Sequence, residues 1–263
     1  MKRNTTLLRT IALALFLFLY APIVAVVVFS FNAARFGTGW KGFTLEWYAS
    51  LPGNNVALAA AWNTFLLALC STAVATVLGT LLGYALRRYE FPGRRLVGRL
   101  LHVPVFVPDI IMAVSLLLFF GLVRQWCGLF ELGLGTMIVA HVTFQIPFVA
   151  IVVRSRLAGL DPWLEEAAHD LGANAWQTFL KVTLPLMLPG VMAGAMLAFT
   201  LSLDDFVVSF FTSGPGSQTL PILIYGSARR GITPDINALS TLIIGLSALA
   251  TVGVTLLQRR REG

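Results

Sequence analysis

Apolar residues fill six long stretches of this chain, and charged residues are concentrated between them. The charge-free stretches are 10–34, 47–86, 110–123, 132–153, 182–203 and 236–258. Most of them reach or exceed the roughly 20 residues that a helix needs to cross a bilayer. The third is shorter because Asp109 interrupts it, but it also spans when it is extended back to about Leu100. The pattern predicts an all-α membrane protein with six transmembrane helices, at about 10–30, 60–86, 100–124, 133–153, 186–211 and 237–257.

Composition agrees with a lipid environment. Of the 263 residues, 57% are hydrophobic and 12% are charged, and the mean hydropathy is +0.81; soluble domains carry roughly 25% charged residues.

The N-terminus, with Lys2, Arg3 and Arg9 before an apolar run, is similar to a secretory signal. Because the run is long and no clear cleavage site follows it, we expect a retained first helix.

The basic residues predict the orientation of the helices. Fourteen of the 19 Lys and Arg residues lie in the two terminal tails and in the second and fourth connections. Cytoplasmic connections carry such an excess, so both termini are expected in the cytoplasm. Since these charges are spread over membrane boundaries, the net charge of +7 does not indicate a nucleic-acid partner. Cys70 and Cys127 have no metal-ligand spacing and are expected to be small buried hydrophobes.

The remaining connections differ in character. Residues 31–59 are rich in Gly and aromatic residues, which predicts an irregular outer loop. Residues 213–235 contain Gly and Pro at both ends, which predicts turns flanking one short helix.

One connection, the stretch EEAAHDLGANAWQTFLKVTLPLMLP, is unusually polar. Asp161 and Pro162 before it form a helix-start signal, and Gly172 suits the left-handed residue that ends a helix. A second amphipathic run begins near Asn174, and Pro185 is predicted to end it. Two short amphipathic helices at a cytoplasmic bend either project towards a partner protein or lie on the lipid headgroups. Periodicity alone leaves both possibilities open.

The stretch resembles the EAA loop of the permeases of ABC importers. That pattern is E-A-A, three residues, G, nine residues, a β-branched residue, one residue and L-P. The matching positions here are Glu166, Ala167, Ala168, Gly172, Val182, Leu184 and Pro185. The resemblance implies the type I importer fold, with a permease core over 60–257, a first helix and periplasmic loop over 1–59, and a tail at 258–263. It also implies that the loop, 161–185, docks into a cytoplasmic ATPase subunit.

A narrower resemblance extends along most of the chain. Segments such as VPDIIMAVSLLL and AFTLSLDDFVVSFFTSGPGSQTLPILIY are similar to the second permease subunit of spermidine/putrescine importers. This implies a multi-pass protein of the bacterial inner membrane, with a second permease, two ATPase copies and a periplasmic polyamine-binding protein as partners. The chain has no G-x-x-x-x-G-K-[ST] motif. We therefore expect a non-catalytic subunit without a cofactor of its own, with ATP and Mg²⁺ on the partner ATPase.

Three carboxylates fall inside predicted helices: Asp109, Asp204 and Asp205. A charge within a membrane costs at least about 2.5–3.5 kcal/mol, so such residues normally face a cavity or a partner. Carboxylates placed along a path can replace the water that a polyamine sheds. Adjacent aspartates point about 100° apart on a helix, so one of the pair is expected to face the path. Ser202 can add a hydroxyl contact, and Trp47 an aromatic face.

Each of these residues has a structural alternative. Asp204 and Asp205 can pair or cap helices near the outer boundary, Asp109 can cap a helix break, and Trp47 can anchor the interface. His102, His141 and His169 are expected to be satisfied or interfacial histidines. Other small solutes (a metal, thiamine or an amino acid) are alternative cargoes, and a proton-coupled carrier is an alternative mechanism, although no inverted repeat is visible. No residue constellation indicates a membrane enzyme.

Overall fold

The computed structural model of the protein describes residues 2–34, 39–161, 163–230 and 234–245. In these ranges the chain is helical apart from turns, loops and one isolated bridge between Asn32 and Phe43. The helices are α1 Lys2–Phe29, α2 Glu46–Ser50, α3 Asn55–Arg88, α4 Arg94–Leu100, α5 Val103–Phe106, α6 Asp109–Cys127, α7 Leu134–Ala158, α8 Trp163–Asp170, α9 Ala175–Thr178, a π-helix Phe179–Thr183, α10 Leu184–Leu203, α11 Val207–Thr212 and α12 Leu220–Arg230. Residues 234–245 are also helical.

Within the described residues, five helical segments are long and apolar enough to cross a membrane. They are Leu7–Phe29, Asn55–Arg88, Asp109–Cys127, Leu134–Ala158 and Ala175–Leu203. They correspond to the first five predicted spans. The sixth, predicted at 237–257, extends beyond the described residues, and so does the predicted tail at 258–263. The short helix predicted within 213–235 is confirmed as α12.

The prediction of continuous helices at 100–124 and 186–211 is wrong. The first region is divided into α4, α5 and α6, because Pro108 forces the preceding Val107 into an extended conformation (φ −75°, ψ 127°). The second region is interrupted between Leu203 and Val207. Asp109, Asp204 and Asp205 therefore lie at helix ends and not inside helices.

The prediction that Pro185 ends a helix is also wrong. The chain remains helical from Ala175 to Leu203, and Pro185 stands in the first turn of α10. Proline lacks an N–H group and its ring clashes with the carbonyl four residues earlier. The widened π-helix Phe179–Thr183 lies immediately before Pro185, where a π-type turn accommodates that clash.

The described residues form two compact units, one lying within 2–58 and 223–245 and the other within 59–222. Helix α7 lies at the centre of the second unit. One buried cluster joins it to α6 and α11 through Phe120, Phe144 and Val208. Another joins it to α10 through Val153 and Met187.

Close packing of α3 on α7 depends on glycine. A Cβ atom at Gly83 would lie 2.7 Å from the carbonyl oxygen of Ala150, a backbone atom that cannot rotate away. Small residues of this kind let membrane helices approach closely. We expect Gly83→Ala to lower the thermal stability of the detergent-solubilised protein by about 1–3 kcal/mol, the usual range for overpacking.

Gly121 of α6 provides the matched control. A Cβ atom there would meet nothing within 4 Å, so Gly121→Ala should be neutral or stabilising by up to ~1 kcal/mol. Equal midpoints of thermal unfolding for the two variants would contradict the proposed α3–α7 packing.

Candidate cation site and coupling loop

The structure brings the three predicted carboxylates together in one cavity of about 320 Å³. Asp109 begins α6, Asp204 follows the last residue of α10, and Asp205 lies in the short link before α11. The rest of the wall is apolar, with Phe144 and Phe148 of α7 among its residues. The helix breaks before Asp109 and after Leu203 therefore place these carboxylates around one space.

Asp205 is held by protein groups. Its Oδ2 accepts a hydrogen bond from the Ser209 N–H at 2.7 Å, and its Oδ1 accepts one from the Val208 N–H at 3.3 Å. The same Oδ2 lies 3.3 Å from Nε2 of His141, and the side chain is only 11% exposed. Because it satisfies the first N–H groups of α11, Asp205 acts as a helix cap.

A buried polar network surrounds this carboxylate. His141 is fully buried, and its ring nitrogens lie 2.7 Å from Ser202 Oγ and 3.0 Å from Ser209 Oγ. The expectation that His141 is a satisfied histidine is confirmed. Ser202 also lies 3.4 Å from Ser71, to which the Gln145 amide donates at 3.2 Å. The network joins α3, α7, α10 and the start of α11.

Ser202 belongs to this network rather than to the cavity wall. It is 1% exposed and is not among the residues that line the 320 Å³ cavity. Its predicted contact with a cargo stays a prediction. Sequence reasoning missed the pairing of His141 with Asp205, because 64 positions separate them and no spacing rule joins them.

Asp204 and Asp109 are differently placed. Both are exposed to the cavity side of the protein, and no donor from another described residue reaches either carboxylate. A carboxylate without a protein donor is available to a cationic ligand, which would form charge-assisted hydrogen bonds with it. Of the two adjacent aspartates, Asp205 therefore forms its hydrogen bonds within the protein, whereas the Asp204 carboxylate is available to a ligand.

Trp47 belongs to the other compact unit. Its indole N–H donates to the Asn32 carbonyl oxygen at 2.8 Å, and the neighbouring Tyr48 hydroxyl lies 2.6 Å from Ser30 Oγ. These contacts fix α2 to the end of α1. The ring is half-buried, and its contact with a cargo stays a prediction.

The polar connection at 161–185 has well-defined ends. The Trp163 N–H donates to Asp161 Oδ1 at 3.0 Å, which confirms the predicted helix start, while Pro162 lies outside the described residues. Gly172 has the predicted left-handed conformation, with φ +84°. Asn174 and Gln177 form a capping box that starts α9.

The two adjacent glutamates of this loop have different surroundings. Glu165 accepts from Arg88 Nε at 2.9 Å and from Thr183 Oγ1 at 2.8 Å, so it attaches α8 to the end of α3 and to the π-helix. Glu166 is exposed and has no hydrogen-bond or ion-pair partner among the described residues. The adjacent Ala167 is exposed and Ala168 half-buried.

Large apolar side chains project from the same loop. Leu171 is 89% exposed, Trp163 70% and Trp176 67%. The 161–185 loop therefore exposes both the carboxylate of Glu166 and several large apolar side chains. Trp and other aromatic residues of this kind are typical of protein interface centres.

Comparisons with known proteins give consistent results. A sequence model of the family "Binding-protein-dependent transport system inner membrane component" matches residues 75–262. The spermidine/putrescine transport system permease protein PotC of Escherichia coli (strain K12) is 42% identical over 246 residues, which cover 94% of this chain and 91% of that protein. The putrescine transport system permease protein PotI of the same organism is 42% identical over 240 residues, 90% of this chain and 85% of that protein.

A solved structure has the same fold. A chain of a bacterial ABC transporter involved in the import of the acidic polysaccharide alginate superposes with a TM-score of 0.78 at 21% identity, covering 99% of this chain and 96% of that chain.

Proposed function

Since the chain belongs to the family of binding-protein-dependent transport system inner membrane components, we propose that it is a non-catalytic permease subunit of an ATP-driven importer of polyamines. The resemblance expected from the EAA loop is thereby confirmed at the level of the family. The polyamine cargo follows from the names of the relatives together with the chemistry of the cavity.

The single observation that carries the cargo assignment is the cavity formed around Asp109, Asp204 and Asp205. A polyamine is a flexible chain of ammonium groups separated by methylenes. The open carboxylates of Asp109 and Asp204 suit the ammonium groups, and the phenylalanine walls suit the methylenes and offer ring faces to a cation. An anionic solute would be repelled by these carboxylates, and a neutral solute would form no ion pair with them.

We place both termini and the 161–185 loop in the cytoplasm. The excess of Lys and Arg in the tails and in the connections after α3 and α7 supports this orientation. The proposed topology has six membrane spans, the sixth being residues 237–257. We propose that this membrane is the bacterial inner membrane, because the matched family is described as an inner membrane component.

We assign ATP-driven coupling to the loop. The free Glu166 and the exposed Leu171 and Trp176 form the surface that docks into a cytoplasmic ATPase, which supplies the ATP and Mg²⁺. The contacts of Glu165 with Arg88 and Thr183 connect that surface to the end of α3 and to the π-helix that precedes α10. Movement of the loop would then reach the helices that carry Ser71, Asp204 and their neighbours. A second permease and a periplasmic polyamine-binding protein complete the proposed assembly.

The proposal is tested by transport. We expect cells that lack their own polyamine uptake to accumulate radiolabelled spermidine or putrescine when they express this chain with its partner subunits. Omitting the ATPase subunit should return accumulation to background, because this chain supplies no nucleotide site. Accumulation of thiamine, an amino acid or a metal in place of both polyamines would overturn the cargo assignment.

A further inference from the structure

A second cavity, distinct from the one around the three aspartates, is strongly basic. It has a volume of about 630 Å³ and is lined by four arginines and one glutamate. Three of the arginines, Arg94, Arg95 and Arg99, belong to α4, and the fourth, Arg154, belongs to α7. The fold thus places Arg154, which is distant in sequence, beside the three arginines of α4.

Most of this positive charge has no compensation from the protein. Arg94 contacts Glu90 at 3.1 Å and donates to the Leu86 carbonyl oxygen at 3.0 Å. No carboxylate of the described residues pairs with Arg95, Arg99 or Arg154. Three guanidinium groups around one cavity form a site for an anion that has several oxygen atoms, such as a phosphate.

The position of Arg154 is supported by the small residue opposite it. Its Nη1 would lie 3.5 Å from a Cβ atom at Gly98. The guanidinium therefore lies directly against α4, the helix that contributes the other arginines. Contact between the two elements keeps the four charges around the same space.

Apolar surface adjoins the basic cavity. On α4, Leu96 and Leu100 are four residues apart on one face, next to the face of Arg95 and Arg99, and both leucines are more than half exposed. The apolar surface continues along α5, where Phe106 is 80% exposed. A free phosphate ion would use only the arginines, whereas a phospholipid would use both surfaces.

The cavity also lies near the ends of candidate membrane spans. It is formed where two candidate spans end, α3 at Arg88 and α7 at Ala158. Basic pockets at the ends of membrane helices are suited to anionic lipid headgroups. We propose that this cavity binds the phosphate headgroup of an anionic phospholipid, with the acyl chains lying against Leu96, Leu100 and Phe106.

This basic cavity is separate from the cavity around the three aspartates and from the 161–185 loop. The lipid proposal can therefore be tested independently of the identity of the transported solute. The assembled transporter should be purified in mild detergent, depleted of lipid, and titrated with phosphatidylglycerol or with phosphatidylcholine of the same acyl chains. Bound lipid per complex is measured by mass spectrometry. We expect phosphatidylglycerol to bind and phosphatidylcholine to bind at least about tenfold more weakly, because its headgroup carries no net charge.

Variants identify the site. Arg95→Gln/Arg99→Gln should weaken phosphatidylglycerol binding by on the order of tenfold. The control Arg9→Gln/Arg124→Gln removes the same number of exposed charges elsewhere and should bind like the native protein. If the first double variant does not accumulate, the single Arg99→Gln variant is used, with a smaller loss expected.

Three results would overturn the proposal. The first is equal binding of the two lipids, and the second is full phosphatidylglycerol binding by the Arg95/Arg99 double variant. The third is displacement of the lipid by millimolar inorganic phosphate, which would identify the site as one for a free anion. Loss of a partner subunit from the double variant, with lipid binding unchanged, would assign the surface to a protein interface instead.

Discussion

Replacing Asp204 by asparagine should lower polyamine uptake strongly while the protein remains in the membrane at its native level. Its carboxylate lines the 320 Å³ cavity and receives no donor from another described residue. The fold therefore has little need for the charge, while a cationic cargo would bind to it directly. A hydrogen bond to a charged group contributes about 1.5–3 kcal/mol, which corresponds to a loss of roughly 10- to 100-fold in uptake at limiting cargo.

Asp205 provides a matched control of the same residue type at the neighbouring position. It caps α11 and contacts His141, so Asp205→Asn replaces an acceptor with an amide group that has too many donors for the site. We expect this variant to reduce the amount of folded protein and its midpoint of thermal unfolding. The two substitutions should therefore have different effects: Asp204→Asn should lower transport, and Asp205→Asn should lower stability.

The measurements are initial rates of radiolabelled spermidine uptake and quantitative immunoblots of membranes. Full uptake by Asp204→Asn would show that the charge of Asp204 is not needed for transport, and it would contradict the proposed contact between Asp204 and the cargo. A loss of membrane protein in Asp204→Asn equal to that in Asp205→Asn would also contradict it, since it would give Asp204 a structural role.

The sequence was sufficient for features that depend on local chemistry. Long apolar runs predicted five helices that the structure contains, since a membrane helix satisfies its own backbone. The signals at Asp161 and Gly172 predicted the two ends of α8. Such signals are readable in the sequence because a capping residue acts on the helix to which it is adjacent. The resemblance to the EAA loop singled out Glu166 and not Glu165, and the structure gives the two carboxylates different surroundings.

Features that depend on tertiary contact were not predictable in this way. The breaks before Asp109 and after Leu203 interrupt apolar runs that are otherwise suitable for one helix. The first break follows from the local effect of Pro108 on Val107, whereas at the second break the side chain of Asp205 contacts His141 of another helix. Periodicity describes one helix at a time, so it cannot show which residue of a distant helix completes a site.

The pairing of Glu165 has a further consequence for the loop. A carboxylate bonded to both Arg88 and Thr183 holds α8 in place without any partner protein. The loop surface is therefore preorganised, and a docking partner does not have to order it first. Preorganisation of this kind raises affinity because less conformational freedom is lost on binding. The free Glu166 beside it is then presented at a fixed position.

The double variant Glu166→Gln/Gly172→Ala should uncouple ATP hydrolysis from polyamine uptake. Glu166 has no hydrogen-bond or ion-pair partner in the part of the chain that the structure describes, and losing a charged contact at a protein interface costs about 2–5 kcal/mol. At Gly172 a Cβ would meet nothing within 4 Å, but its left-handed backbone costs other residues about 1–2 kcal/mol. Together these changes would weaken docking and tilt the loop surface, without affecting the membrane helices. In proteoliposomes with all partner subunits, uptake should fall to background and hydrolysis should no longer respond to the binding protein.

The control for this variant is Glu46→Gln/Gly128→Ala. It removes another exposed carboxylate and another left-handed glycine, with φ +69° and open space around the Cβ position. Both of its sites lie outside the 161–185 loop, so this variant should keep native uptake and native stimulation of hydrolysis. If the loop variant transported as well as this control, the loop would not couple the permease to its ATPase. If both lost transport equally, strain and charge loss in general would account for the effect. Only a loss confined to the loop variant fits a permease that is driven through this surface.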